Sequence, residues 1–140
     1  MSRTSAREDA FKILFQQQFV KEDARQSIST YLENFGGQET APEDLDFIID
    51  EVTGVLEHRD ALDEIIEGAL KGWSLYRLSK VDLSILRLSA YEIRYNTEIP
   101  YSVTINEAVN LAKKYSQEQA PSFINGVLGA IQPCEKTPTA

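Results

Sequence analysis

The chain has 140 residues, of which 42% are hydrophobic and 26% charged, and its formal net charge is −8. That length and balance suit one globular domain around one core, with no need of a disulfide or metal staple, and no apolar run approaches the roughly 18 residues of a membrane span. The one cysteine, Cys134, excludes an internal disulfide and a multi-cysteine zinc site, and the segment from Met1 to Arg7 runs into an amphipathic stretch, not an apolar signal core, so a cytoplasmic protein is expected.

An acidic chain is a poor general partner for nucleic acid, whose phosphates dominate affinity. The charge is segregated, however. Glu39 to Glu67 holds eleven acidic residues and one arginine, Arg59. Lys71 to Tyr115 holds seven basic residues against four acidic ones. Such a division either puts a basic face on an acidic protein or gives two solvated helix surfaces of opposite sign.

Ser5 and Glu8 have capping-box spacing, so a first helix is expected from about Thr4. Ala10, Phe11, Leu14, Phe15 and Phe19 form its apolar stripe, and Arg3 and Arg7 share one side. A second helix is expected over Ala24 to Asn34, with a stripe of Ile28, Tyr31, Leu32 and Phe35 ended by Gly36-Gly37. After a loop, Thr40 and Glu43 repeat the capping spacing and Pro42 suits a first turn. The third helix carries Phe47, Ile48, Ile49, Val52 and Val55, with a bend near His58-Arg59 before Leu62, Ile65, Ile66 and Leu70.

Trp73 to Ser79 reads as a connection or short turn. Val81 to Tyr95 is apolar on nearly every side of a helical wheel, which predicts a helix surrounded by others. Thr104 and Glu107 give a third capping pair, followed by the stripe Ile105, Ala108, Val109 and Ala112. The last helix is expected from about Pro121 to Ile131, stopped by Pro133. Asn125-Gly126 could mark a hairpin, but its flanks do not alternate, so helix is expected there. The expected organisation is one helical domain over 1–133 and a polar tail over 134–140.

Catalytic patterns are sparse. His58-Arg59-Asp60 copies a protein-kinase tripeptide, but no glycine-rich loop or Asp-Phe-Gly accompanies it, and Ile65 stands where that pattern needs Asn. One histidine allows no histidine metal pair. The acidic pairs Asp46/Asp50 and Asp60/Glu64 share helix faces and read as solvated. Cys134 has no histidine near it in sequence. No enzyme, metal or cofactor site is expected.

The most specific signal is three ordered elements: Leu86-Arg87 with Tyr91-Glu92, Ile99-Pro100-Tyr101 running through Ile105-Asn106-Glu107-Ala108-Val109 to Leu111-Ala112-Lys113-Lys114-Tyr115, and Phe123-Ile124-Asn125-Gly126-Val127-Leu128. With Ala6-Arg7-Glu8 at the entry, they resemble the NusB family of bacterial transcription antitermination factors. A NusB-like module also precedes the methyltransferase domain of a bacterial rRNA cytosine methyltransferase. The short stretch after the last helix favours the free-standing form.

The resemblance implies an all-α fold, a single compact seven-helix domain of two helical subdomains. It implies a transcription antitermination factor that binds boxA-like single-stranded RNA with the ribosomal protein NusE in an RNA polymerase antitermination complex, notably on rRNA operons. RNA contacts carry over to Arg3, Arg7, Tyr101, Lys113, Lys114 and Phe123, and NusE contacts to Phe15 and Asp82. Some relatives dimerise through the surface RNA would occupy, which leaves a homodimer without RNA binding as the alternative. Read without the resemblance, Arg3 also suits a tail charge, Lys113 and Lys114 the negative end of a helix dipole, Phe123 a core and Asp82 a first helical turn. The N-terminus departs from the arginine-rich pattern of many relatives, since Thr4 and Ser5 stand between Arg3 and Arg7.

Overall fold

The computed structural model describes residues 2–34 and 40–133. The expected stop at Gly36-Gly37, the stripe residue Phe35, and Cys134 with its tail lie outside the described residues. Among the described residues are seven α-helices and a 3-10 turn, and no strand. The chain divides into two compact units between Glu57 and His58, where the bend was expected.

The first unit contains α1 (Arg3–Gln17), α2 (Ala24–Asn34) and α3 (Pro42–Glu57). Ser2, not Ser5, caps α1: its Oγ accepts the Ser5 N–H at 3.1 Å. The expected Ser5/Glu8 box is thus a misreading, because Ser5 already lies in the first turn as the donor being capped. Ala6, Ala10, Phe11, Ile13 and Leu14 are buried at helical spacing. The stripe stops a turn early, since the chain leaves the helix after Gln17 and Phe19 stands 59% exposed.

The bounds of α2 match expectation, and Tyr31 ties it to α1 by donating its phenol to Asp9 Oδ1 at 2.6 Å. At the start of α3 the Ala41 carbonyl accepts the Asp44 and Leu45 N–H groups at 3.0 and 2.9 Å. Phe47, Ile48, Val52 and Val55 fill the core, while Ile49 is 41% exposed.

The second unit contains α4 (Arg59–Ala69), the 3-10 turn Leu75–Arg77, α5 (Lys80–Arg94), α6 (Tyr101–Tyr115) and α7 (Ala120–Gly129). Ser79 caps α5 by accepting the Asp82 N–H at 3.0 Å. Helices α4, α6 and α7 all pack on α5, which accounts for its nearly all-round apolar pattern. Ser84, Ile85, Leu86, Leu88, Ser89, Ala90 and Ile93 are buried in it, and Leu83 is half-buried.

Helix α6 begins a turn earlier than its capping pair suggested. Pro100 sits at the cap and its carbonyl accepts the Val103 and Thr104 N–H groups, so Thr104 is inside the helix. The Thr104 hydroxyl donates instead to Glu92 Oε1 at 2.7 Å, with both residues buried. The buried face of α6 is accordingly Thr104, Ala108, Leu111 and Ala112, while Ile105 and Val109 lie at its margin. Asn125 and Gly126 are helical, as expected.

A buried carboxylate that loses a donor is left with desolvation less fully repaid. Thr104→Val should therefore destabilise the chain by about 1–3 kcal/mol, and Thr104→Ser by less because it keeps the hydroxyl. Urea denaturation checks this: equal midpoints for the Thr104→Val variant and the wild-type protein would show that the bond holds nothing.

Candidate nucleic-acid interface

Arg3 and Arg7 lie four residues apart on α1, and both guanidiniums pack against the Phe47 ring, at 4.4 and 5.2 Å from its centroid. Their environments differ. The Arg3 side chain is 49% exposed and its Nε lies 3.4 Å from Asp44 Oδ1. Arg7 is only 4% exposed. Arg3 therefore presents charge to solvent, and Arg7 belongs to the buried charged group of this unit with Asp44 and Glu51. At the other end of α1, Phe15 is half-buried and meets Phe19 edge-on at 5.2 Å, and Val20 is 45% exposed. These side chains form an apolar patch of the kind protein partners cover.

In the second unit, Tyr101 opens α6 with its hydroxyl 2.9 Å from the Leu128 carbonyl and 3.1 Å from that of Ile131. The phenol thereby closes the end of α7, while the ring borders an open groove with Ile105, Asn106, Val109, Pro121 and Asn125. Lys113 and Lys114 are exposed in the last turn of α6, and Lys114 Nζ stands 5.5 Å over the Tyr115 ring. Asp82, in the first turn of α5, accepts the Ser116 hydroxyl at 2.7 Å.

Asp82 and Phe123 line one cleft of about 510 Å³, although the resemblance assigns them to different partners. Trp73, Arg77, Gln117 and Gln119 complete much of its wall, and the sequence reading did not single these out. The usable signal was the acid-free run Gly68 to Val81, which carries Trp73, Tyr76, Lys71, Arg77 and Lys80. Not every cation is available, since Arg87 binds Asp63 through two parallel contacts of 2.8 and 2.9 Å.

His58, at the helix bend, packs against the Tyr95 ring at 4.2 Å and the Tyr91 ring at 6.1 Å. Asp46, Asp50, Asp60 and Glu64 are exposed. Among the described residues no group of His, Cys, Asp and Glu could hold a metal ion, and no helix is long and apolar enough to cross a membrane.

Seven α-helices among the described residues, with no strand, define an all-helical protein. The chain belongs to the NusB family, whose model matches residues 4–133. It is 44% identical over 131 residues to the transcription antitermination protein NusB of Acetivibrio thermocellus, covering 94% of this chain and 88% of that protein. The structure of T. maritima NusB superposes with a TM-score of 0.85 at 36% identity, over 94% of this chain and 90% of that one. The NusB fold in a crystal structure of antitermination factors NusB and NusE with dsRNA superposes with a TM-score of 0.81 at 28% identity, over 92% and 94%.

The Ser116–Asp82 bond anchors one wall of the cleft. Ser116→Ala should cost about 0.5–1.5 kcal/mol, the net worth of such a bond. Asp82→Asn, whose Oδ1 still accepts, should cost less. Chemical denaturation of both variants measures the difference, and the reverse order would contradict the assignment.

Proposed function

We propose that this chain is a transcription antitermination factor that binds boxA-like single-stranded RNA together with the ribosomal protein NusE. What carries the reading is the family match along nearly the whole described chain, from residue 4 to residue 133. A structural relative held with NusE and dsRNA supports NusE and an RNA as partners.

The roles divide by environment. Exposed Arg3, Lys113 and Lys114 supply cations for phosphates, and Phe123 offers a ring to an unstacked base. Tyr101 uses its hydroxyl within the fold and acts through its ring. Arg7, buried against Phe47, positions that ring and the start of α1 and does not reach into solvent. Phe15 with its apolar neighbours, and Asp82 at the cleft, serve the protein partner. The protein then works by binding and not catalysis, in the cytoplasm, as one component of an RNA polymerase antitermination complex.

A gel-shift with boxA-like RNA, at several salt concentrations and with and without NusE, tests this. Binding should be tighter with NusE and weaken as salt rises, and Arg3→Ala or Lys113→Ala should each lower the log–log salt slope by about one. Arg7→Ala should act first on stability, through lost packing. Absence of an RNA complex at low salt with NusE present would overturn the reading. A stable dimer that RNA neither binds nor dissociates would favour a purely structural interaction domain.

A further inference from the structure

The connection between α4 and α5 is built in a way that core packing does not require. After α4 the backbone turns through positive φ at Lys71 (54°) and Gly72 (98°), which redirects the chain outward. Trp73 follows at 56% exposure, and Tyr76 is 95% exposed. Burying such rings is the usual gain of having them, so two outward-facing rings three residues apart leave that gain unused in this unit.

The segment is nonetheless held in place. Ser74 Oγ accepts the Tyr76 N–H at 3.2 Å, and Glu67 accepts the Leu75 N–H at 3.2 Å. The Arg77 guanidinium lies 5.6 Å over the Trp73 ring. Lys71, Arg77 and Lys80 are all exposed, no acidic residue falls between them in sequence, and the two carboxylates beside them, Glu67 and Asp82, accept hydrogen bonds from the Leu75 N–H and the Ser116 hydroxyl. Trp73 and Arg77 also form a wall of the cleft that holds Phe123, Gln117 and Gln119. Rings for stacking, cations for phosphates and amides for base edges are thus gathered on an ordered turn. That set of groups matches unpaired RNA better than a protein surface, because every base has a face to stack and each nucleotide brings a charge.

We infer that the Lys71–Lys80 connection is a stacking platform for single-stranded RNA, with Trp73 and Tyr76 receiving bases and Arg77 contacting the backbone beside them. This rests on the RNA-binding reading above and extends it to residues that the resemblance does not assign. RNA leaving the Phe123 cleft would continue over Trp73.

Trp73 is the one tryptophan of the chain, so its emission reports on this surface alone. The full chain would be titrated with a boxA-like oligoribonucleotide, with an abasic oligomer of equal length and with NusE, and complex formation would be followed separately by gel-shift. The RNA should quench Trp73 in step with the gel-shift, while the abasic strand should quench little. Tyr76→Ala, at a site too exposed to disturb folding, should weaken RNA binding by roughly 5- to 150-fold, the worth of one stacked base. Arg77→Gln should lower the salt slope by about one. RNA that shifts the protein in the gel but leaves Trp73 emission and the Tyr76→Ala affinity unchanged would overturn the platform and spare the family reading. No RNA complex by either method would overturn both. Emission that responds to NusE and not to RNA would overturn the platform in favour of a protein-docking surface.

Discussion

The second unit depends on where α6 lies along α5, and one buried hydrogen bond marks it. Glu92 is 1% exposed and Thr104 2% exposed, so neither can turn to water if they part. A carboxylate in that position is tolerable only with donors aimed at it. A slip of α6 by one residue would carry the Thr104 hydroxyl away by about 1.5 Å of rise and about 100° of rotation. The same rotation would carry Ala108 and Ala112 off the buried face, so the apolar and polar contacts specify one register together. Buried polar bonds act in this way as register marks more than as sources of stability.

Two further side chains, at either end of α6, turn that register into a shaped surface. Tyr101 reaches the carbonyls of Leu128, near the end of α7, and of Ile131 just beyond it, and Ser116 reaches Asp82 at the start of α5. The pairings 92 with 104 and 82 with 116 run in opposite senses, so the two helices are antiparallel. Ten residues along α5 and twelve along α6 span about 15 and 18 Å, so the two ties match helices of similar reach. With both ends fixed, the segment from Gln117 to Phe123 is short and constrained, and its amides and ring face one cleft with Trp73 and Asp82. The site is thus a by-product of how α6 is fastened.

Periodicity made most of this architecture legible before any coordinates. The bounds of α2, the helix break at His58, the wrapped α5 and the helical Asn125-Gly126 all follow from spacing that packing does not override. The capping boxes failed at Ser5 and Thr104 for a physical reason. A Ser or Thr three residues before Glu recurs by chance in helices, and only the backbone decides whether that hydroxyl meets an orphan N–H. The real caps, Ser2 and Ser79, stand just ahead of the first turns. Burial of charge was equally hidden. Arg7, Asp44, Glu51 and Glu92 are buried, yet each reads in sequence like any surface ion, because burial depends on side chains brought from another helix. Hence Arg3 and Arg7 look equivalent as a pair of cations, and the fold makes one a surface charge and the other a packed side chain.

The same distinction between local and total properties bears on how a chain of net charge −8 could attract an anion. At physiological ionic strength the screening length is about 8 Å, so exposed charges farther apart than that scarcely feel one another. The acidic stretch from Glu39 to Glu67 then adds little to the potential at any cation more than a screening length away. What counts is the immediate neighbourhood: the run from Gly68 to Val81 carries lysine and arginine and no acid of its own, and the carboxylates that border it, Glu67 and Asp82, are each engaged in a hydrogen bond, with the Leu75 N–H and the Ser116 hydroxyl. Lowering the salt lengthens the screening to about 30 Å at 0.01 M, which brings the distant carboxylates back into play just as each phosphate contact strengthens. Net charge therefore describes how this protein behaves toward polyanions at a distance, whereas contact is governed by the few cations and rings that the fold leaves outside.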